Sequence, residues 1–167
     1  MSELTDLLLD ASVLINLLHV RRLDLLTVTG HFRPVVPEDV LEEIRLPDQR
    51  EVLAAELEVG RLRLLRIEHP DALEAAADLR SSLGRGEAAC LAIAQQVGGS
   101  IACDEKGAFL RLARERIGEG RLVTTPQLVL VAIRHGVLSV DEADSLKAHL
   151  EAQRFRMPFV SFRDLLR

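Results

Sequence analysis

Short apolar runs that end on a polar residue alternate along this chain with longer stretches of helical period, the pattern of an α/β domain. Leu7-Leu8-Leu9 leads into Asp10, Ser100-Ile101-Ala102-Cys103 into Asp104, and Leu122-Val123 into Thr124 and Thr125. Uninterrupted runs of this kind suit parallel strands covered by helices on both faces. Pro34 to Pro37 and Leu62 to Ile67 are further strand candidates, and arginines at 61, 63 and 66 mark the latter as an edge or half-exposed strand. Between the strands, Pro70-Asp71 opens a helical run that closes at Gly84, and Gly86-Glu87 opens one that closes at Gly98-Gly99. After Asp104, Phe109, Leu112 and Ala113 share one helical face while Arg111, Arg114 and Glu115 share the other; Ala143, Leu146 and Leu150 form a similar stripe. No repeat, low-complexity tract or linker interrupts the pattern, so a single domain over residues 1–167 is expected.

In an open parallel sheet, ligands bind outside the carboxyl ends of the strands, where Asp10 and Asp104 both fall. Glu87 opens a helix directly after Gly84-Arg85-Gly86, whose glycines let the backbone approach another element. Glu43 is expected on the short helix of PEDVLEEI, beside Glu38, Asp39 and Glu42. Carboxylates that converge must be protonated, paired or metal-bound. A cluster of this kind suits Mg²⁺ or Mn²⁺, which prefer oxygen ligands, and two such ions clamp the attacking and leaving oxygens of a phosphodiester displacement. Each acid also has a purely structural reading: Asp10 and Asp104 as helix caps, Glu87 as a first-turn residue favoured by the helix dipole, Glu43 as part of a solvated face. The five histidines are scattered without zinc spacing, and neither a Walker loop nor a GxGxxG turn is present.

Composition narrows the functional classes. Hydrophobic residues at 48% and charged residues at 28% exclude a disordered chain. Aromatics are only 3%, with no Trp or Tyr, so the core must be aliphatic and a base-stacking platform is disfavoured. A net charge of −5 argues against broad electrostatic coating of nucleic acid or membrane but leaves room for a local site. Because Lys106 and Lys147 are the only lysines, a cationic patch must be made of arginine; Arg85, Arg111 and Arg114, close in sequence to Glu87 and Asp104, are the candidate phosphate contacts. Cys90 and Cys103 lie in apolar runs and read as buried free thiols. MSELTDLLLDASVLINLL carries acids but no base and fails as a signal peptide, and no apolar run approaches a membrane span, so a soluble cytoplasmic protein with no membrane partner is expected.

Taken in chain order, these segments resemble the PIN-domain family, the nuclease fold of many bacterial toxin-antitoxin systems, and in particular its branch with a Gly-Glu-Ala helix motif. LLLDASVLINLLHVRRLDLL resembles the opening strand and helix, with the first catalytic Asp and a following Ser. VVPEDVLEEI resembles the Pro-x-x-Val-x-x-Glu segment, a register that selects Glu43 over Glu42. LGRGEAACLAIA is similar to the Gly-Glu-Ala helix, with Glu87 as the third acid, and SIACDE to the strand ending in the fourth, Asp104. LVLVAIRHG and the Phe155 region resemble the remaining helices, so the likeness covers nearly the whole chain. Two departures stand out. Where the branch carries two aspartates followed by an Ala-Arg pair, this chain has Asp104-Glu105 and then Ala108-Phe109; a Gly-Thr before the late helix appears as Thr124-Thr125.

The resemblance implies a three-layer α/β/α sandwich with a parallel sheet of about four to five strands. It implies a Mg²⁺- or Mn²⁺-dependent endoribonuclease in which Asp10, Glu43, Glu87 and Asp104 are the catalytic, metal-holding acids and Ser12, Thr124 and Thr125 the supporting hydroxyls. The partners it implies are a single-stranded RNA substrate, an antitoxin protein that enters the active site, and a second copy of the chain. Two other readings stay open: a PIN-fold binding or regulatory module that does not cut, motivated by the missing arginine, and a phosphoryl-transfer or receiver domain using Asp10, against which stands the Ala-Ser-Val that follows it. The C-terminal Phe155, Met157, Phe159 and Phe162 either close the core or form a partner surface.

Overall fold

The computed structural model describes residues 3–167. Strands β1 (Thr5–Leu9), β2 (Phe32–Pro37), β3 (Arg63–Leu65), β4 (Ser100–Ala102) and β5 (Leu122–Val123) form one all-parallel sheet in the order β3-β2-β1-β4-β5. Each expected strand is present. The apolar run of β1 is central and fully buried: Leu8 lies between Val35 on one side and Ile101 on the other, all three without solvent contact. The arginine-bearing β3 is an edge strand, as its exposed Arg63 and Leu64 require.

Among the described residues eight α-helices complete the fold: α1 (Ala11–His19), α2 (Glu38–Leu41), α3 (Pro47–Glu58), α4 (Pro70–Leu79), α5 (Arg85–Val97), α6 (Ala108–Ile117), α7 (Thr125–Arg134) and α8 (Val140–Ala152). Strand-to-strand crossovers are right-handed, so the change of winding direction after β3 puts α4, α5 and α6 on the opposite face from α1 and α3. Accordingly α5 packs across β1, β2 and β4 with α4 and α6 beside it, while α1 associates with α3 and α7. This is the three-layer sandwich. Every residue of α5 from Ala88 to Ala94 is buried, and its run of alanines allows close approach to the sheet.

The C-terminal end of α5 is fixed twice. Gly98 caps it in the left-handed conformation (φ 72°). Arg121 donates to the Ala94 and Gly99 carbonyls, joining the start of β5 to the C-terminus of α5. The C-terminal segment closes the core: Ser161 Oγ and Phe162 N donate to Asp144 of α8 at 2.6 and 2.8 Å, and Phe162 is fully buried. Among the described residues no helix is long and apolar enough to cross a membrane.

One tight approach underlies the α5–β4 corner. A Cβ on Gly99 would stand 2.9 Å from the Asp6 carbonyl oxygen and 2.9 Å from Leu8 Cδ2, and the first of these is backbone of the central strand. Gly99→Ala is therefore expected to cost about 1–3 kcal/mol, the range for overpacking. Thermal denaturation should show a midpoint lowered by several degrees, at about 2–4 °C per kcal/mol for a domain of this size.

Candidate active site

The winding of the sheet reverses between β1 and β4, and the crevice beyond their carboxyl ends is where an open α/β sheet receives a ligand. Asp10 directly follows β1 and is only 2% exposed. It caps α1, its Oδ2 accepting from Ser12 N at 3.1 Å and Ser12 Oγ at 2.5 Å. Oδ1 has no donor from the described chain, and since no buried side-chain oxygen lacks a partner, that atom opens to solvent. Ser12 Oγ accepts in turn from Asp104 N at 3.0 Å, so one hydroxyl bridges the two strand ends.

Asp104 is held on every side. Its Oδ1 accepts from Thr125 N at 2.8 Å, and its Oδ2 from Thr125 Oγ1 at 2.5 Å and Asn16 Nδ2 at 2.8 Å. Of the roughly four acceptor positions of a carboxylate, three are taken. Thr125 is the first residue of α7, so Asp104 receives a free N–H from that helix end. Glu87, in the first turn of α5, accepts from Gly84 N at 3.0 Å through Oε2. The positive ends of α1, α5 and α7 thus face the crevice, and a capping role does not remove these acids from it.

Glu43 departs from expectation in one respect: α2 ends at Leu41, and Glu43 lies in the turn that follows. Its Oε1 accepts from Gly86 N at 2.9 Å. A side chain at position 86 would run into Glu43 Oε1 and Val40, which is why glycine precedes Glu87. The neighbouring acids of PEDVLEEI are neutralised by arginines, Glu38 by Arg66, Asp39 by Arg80 and Arg85, and Glu42 by Arg85. Glu43 alone of the four has no ion pair among the described residues.

Charge crowding marks the same place. Burial pushes the Asp104 carboxyl above its usual range despite the opposing hydrogen bonds from Thr125 and Asn16, and the charge of Asp10 adds to it. Partial burial raises Glu43 as well, with the negative charges of Asp10, Glu87 and Asp39 adding and the Gly86 hydrogen bond opposing. Glu105 is raised by burial first and then by Asp10, Glu87, Asp104 and Glu43, which makes it a fifth member of the cluster. Asn16 was not a candidate in the sequence, and Glu105 was noted there only as a departure from the second aspartate of the family branch. Buried Cys90 and Cys103 are free thiols held protonated by loss of hydration.

A family model for the PIN domain matches residues 6–167. The chain belongs to the PIN-domain family. Comparison with curated proteins finds no match. PIN domains are generally nucleases that use divalent metal ions. In this PIN domain no three His, Cys, Asp or Glu side chains among the described residues stand close enough to hold one ion directly. The donor set is nonetheless all carboxylate oxygen, lacks any paired cation, and keeps open acceptor positions on Asp10, Glu43 and Glu87. That fits a hard cation bound by one or two carboxylates with much of its water shell retained.

The remaining candidates separate. Thr125 supports Asp104, whereas Thr124 caps α7 and bonds Gln127 rather than an acid. Arg85 lies beside the cluster but pairs with Asp39 and Glu42, and Arg114 pairs with Glu119. Arg111 is exposed and has no ion pair among the described residues.

A sign follows from the raised Glu43. A carboxyl with a folded pKa above its unfolded value destabilises the fold most when ionised, above the raised pKa, and not at all below the unfolded value of 4.5. Glu43→Gln keeps the acceptor for Gly86 and removes the charge. In metal-free buffer the variant is expected to melt above wild type at neutral pH, with the difference vanishing as pH falls towards 4.5.

Proposed function

We propose that this PIN domain is a divalent-metal-dependent endoribonuclease that hydrolyses phosphodiester bonds of single-stranded RNA, with Asp10, Glu43, Glu87 and Asp104 as its catalytic acids. What supports this most is the gathering of carboxylates at the switch-point crevice with no ion pair to any of them among the described residues. Bound there, Mg²⁺ or Mn²⁺ supplies Lewis-acid activation of water and neutralises charge on the phosphoryl oxygens.

The chain's own part is to hold and orient. Asp10, Glu43 and Glu87 offer oxygens free of protein donors, and Asp104 its one remaining acceptor position. Ser12 keeps Asp10 and the Asp104 backbone at a fixed separation, while Thr125 and Asn16 lock the Asp104 rotamer. Arg111, exposed and without an ion pair among the described residues on the helix that follows Asp104, suits a substrate phosphate. Arg85 can join it at little cost, because exposed pairs such as its own contribute at most about 1 kcal/mol.

The same geometry selects the test variant. Asparagine at 104 would turn an NH₂ group towards donors from Thr125 or Asn16, mixing loss of charge with loss of structure. Asparagine at 10 still presents an oxygen to Ser12. The competing reading, a PIN module that does not cut, draws on the missing Ala-Arg arginine and on the lack of a direct three-ligand cage among the described residues.

Purified protein is expected to cut a mixed single-stranded RNA pool in Mg²⁺ or Mn²⁺ and not in EDTA. Asp10→Asn should lose more than about 100-fold, beyond the effect of removing an outer-shell partner. Cutting that survives EDTA or the variant would refute the metal reading, and none under any condition would favour the non-cutting module. The reading extends to a toxin restrained by an antitoxin protein: induced expression in a bacterial host should arrest growth for wild type and spare it for Asp10→Asn.

A further inference from the structure

Against the acid cluster lies a cavity of about 270 Å³ whose wall includes Asp104 and Glu105. Much of its lining is apolar, including Phe109, Leu110, Phe155, Met157 and Pro158. Two of the chain's five phenylalanines are therefore spent on one hollow, in a protein too poor in aromatics for an extended stacking surface. Phe109 and Met157 are buried, while Phe155 is only partly so. The volume is below the roughly 300–1,000 Å³ of drug-sized ligand pockets and is of a size for one planar group.

Beside the paired Arg114 and Glu119, three polar groups at this hollow are donors without a partner among the described residues. The Gln127 amide oxygen accepts from Thr124 N at 2.8 Å, which turns its NH₂ the other way, and that NH₂ has no partner among the described residues. Lys106 and Arg156, which also line the hollow, form no ion pair among the described residues. An apolar slot, a free amide donor and two unpaired cations beside carboxylates suited to phosphate chemistry match a group that is flat, carries acceptors on its edge and is attached to phosphate.

We propose that this cavity is a base-binding subsite, taking one unstacked nucleobase of a single-stranded RNA next to the acid cluster, with Phe155 as its aromatic face and Gln127 as a donor to the base edge. The proposal rests on the nuclease reading only for the identity of the polymer that brings the base. A protein side chain entering the same hollow would bring apolar surface but no phosphate for Lys106 and Arg156.

The test measures binding, so it does not depend on cutting. Fluorescence anisotropy at low salt in EDTA compares an intact RNA pentamer with pentamers carrying one abasic ribose at each position in turn, on full-length protein. One abasic position is expected to weaken binding about tenfold, the scale of a lost base–aromatic stack. Phe155→Ala should shrink that gap below about threefold, and Phe155→Leu, which retains apolar bulk and hence the fold, should do the same. Melting curves establish that both variants are folded. Equal binding of all pentamers would overturn the subsite and leave the hollow to a protein side chain; so would a gap undiminished in both folded variants, or no binding of the intact pentamer. A gap with no cutting refutes the nuclease reading alone, and cutting with no gap refutes the subsite alone.

Discussion

Negative charge gathered without a counter-ion from the chain is the constraint around which this molecule is arranged. Asp10, Glu43, Glu87, Asp104 and Glu105 act on one another electrostatically, and none has an ion pair among the described residues. Elsewhere the same protein neutralises its acids readily, pairing Glu38, Asp39, Glu42, Glu56 and Glu119 with arginines. Arginine is thus abundant, yet among the described residues none pairs with the five acids of the crevice. What offsets the repulsion is backbone and hydroxyl: the ends of α1, α5 and α7, the Gly84 and Gly86 amides, Ser12 and Thr125. These dipoles hold the carboxylates in position without cancelling their charge, which leaves a site receptive to a cation from outside.

The sheet makes that gathering possible. Because β1 is central and the winding reverses beside it, two strand-end aspartates open into one crevice from opposite arms of the topology. Glu87 reaches it through a helix whose alanines press against β1, β2 and β4, and Glu43 through a turn that touches the start of that helix. Close packing has no slack at either contact, which is why glycine occupies both 86 and 99.

Much of this was legible in the sequence. Strand ends announced themselves because a buried parallel strand is a continuous apolar run and the first residue past it is free to be charged, as at Leu9-Asp10 and Cys103-Asp104. The helix stops at Gly98 and the edge character of β3 were equally local. Other features were set by long-range geometry. Asn16 looked like an ordinary polar residue in an amphipathic helix, and its partner lies 88 positions away. Thr124 and Thr125 were indistinguishable until α7 was placed, whereupon one became a cap and the other a ligand for Asp104. Arg85 and Arg114 seemed available for phosphate because charge spacing carries no information about which acids fold back onto them. Glu43 escaped the helix assigned to it because α2 stops after a single turn.

The strand order also sets when the crevice can exist during synthesis. β1 is made first but gains its second neighbour only when β4 emerges, about 90 residues later by the register of Leu7 against Ser100, and Asp104 lacks its Thr125 donors until α7 begins. A ribosome carrying an unfinished chain therefore displays Asp10, Glu43 and Glu87 without the strand that would draw them together. The full constellation forms only once β4 and the start of α7 have joined the sheet.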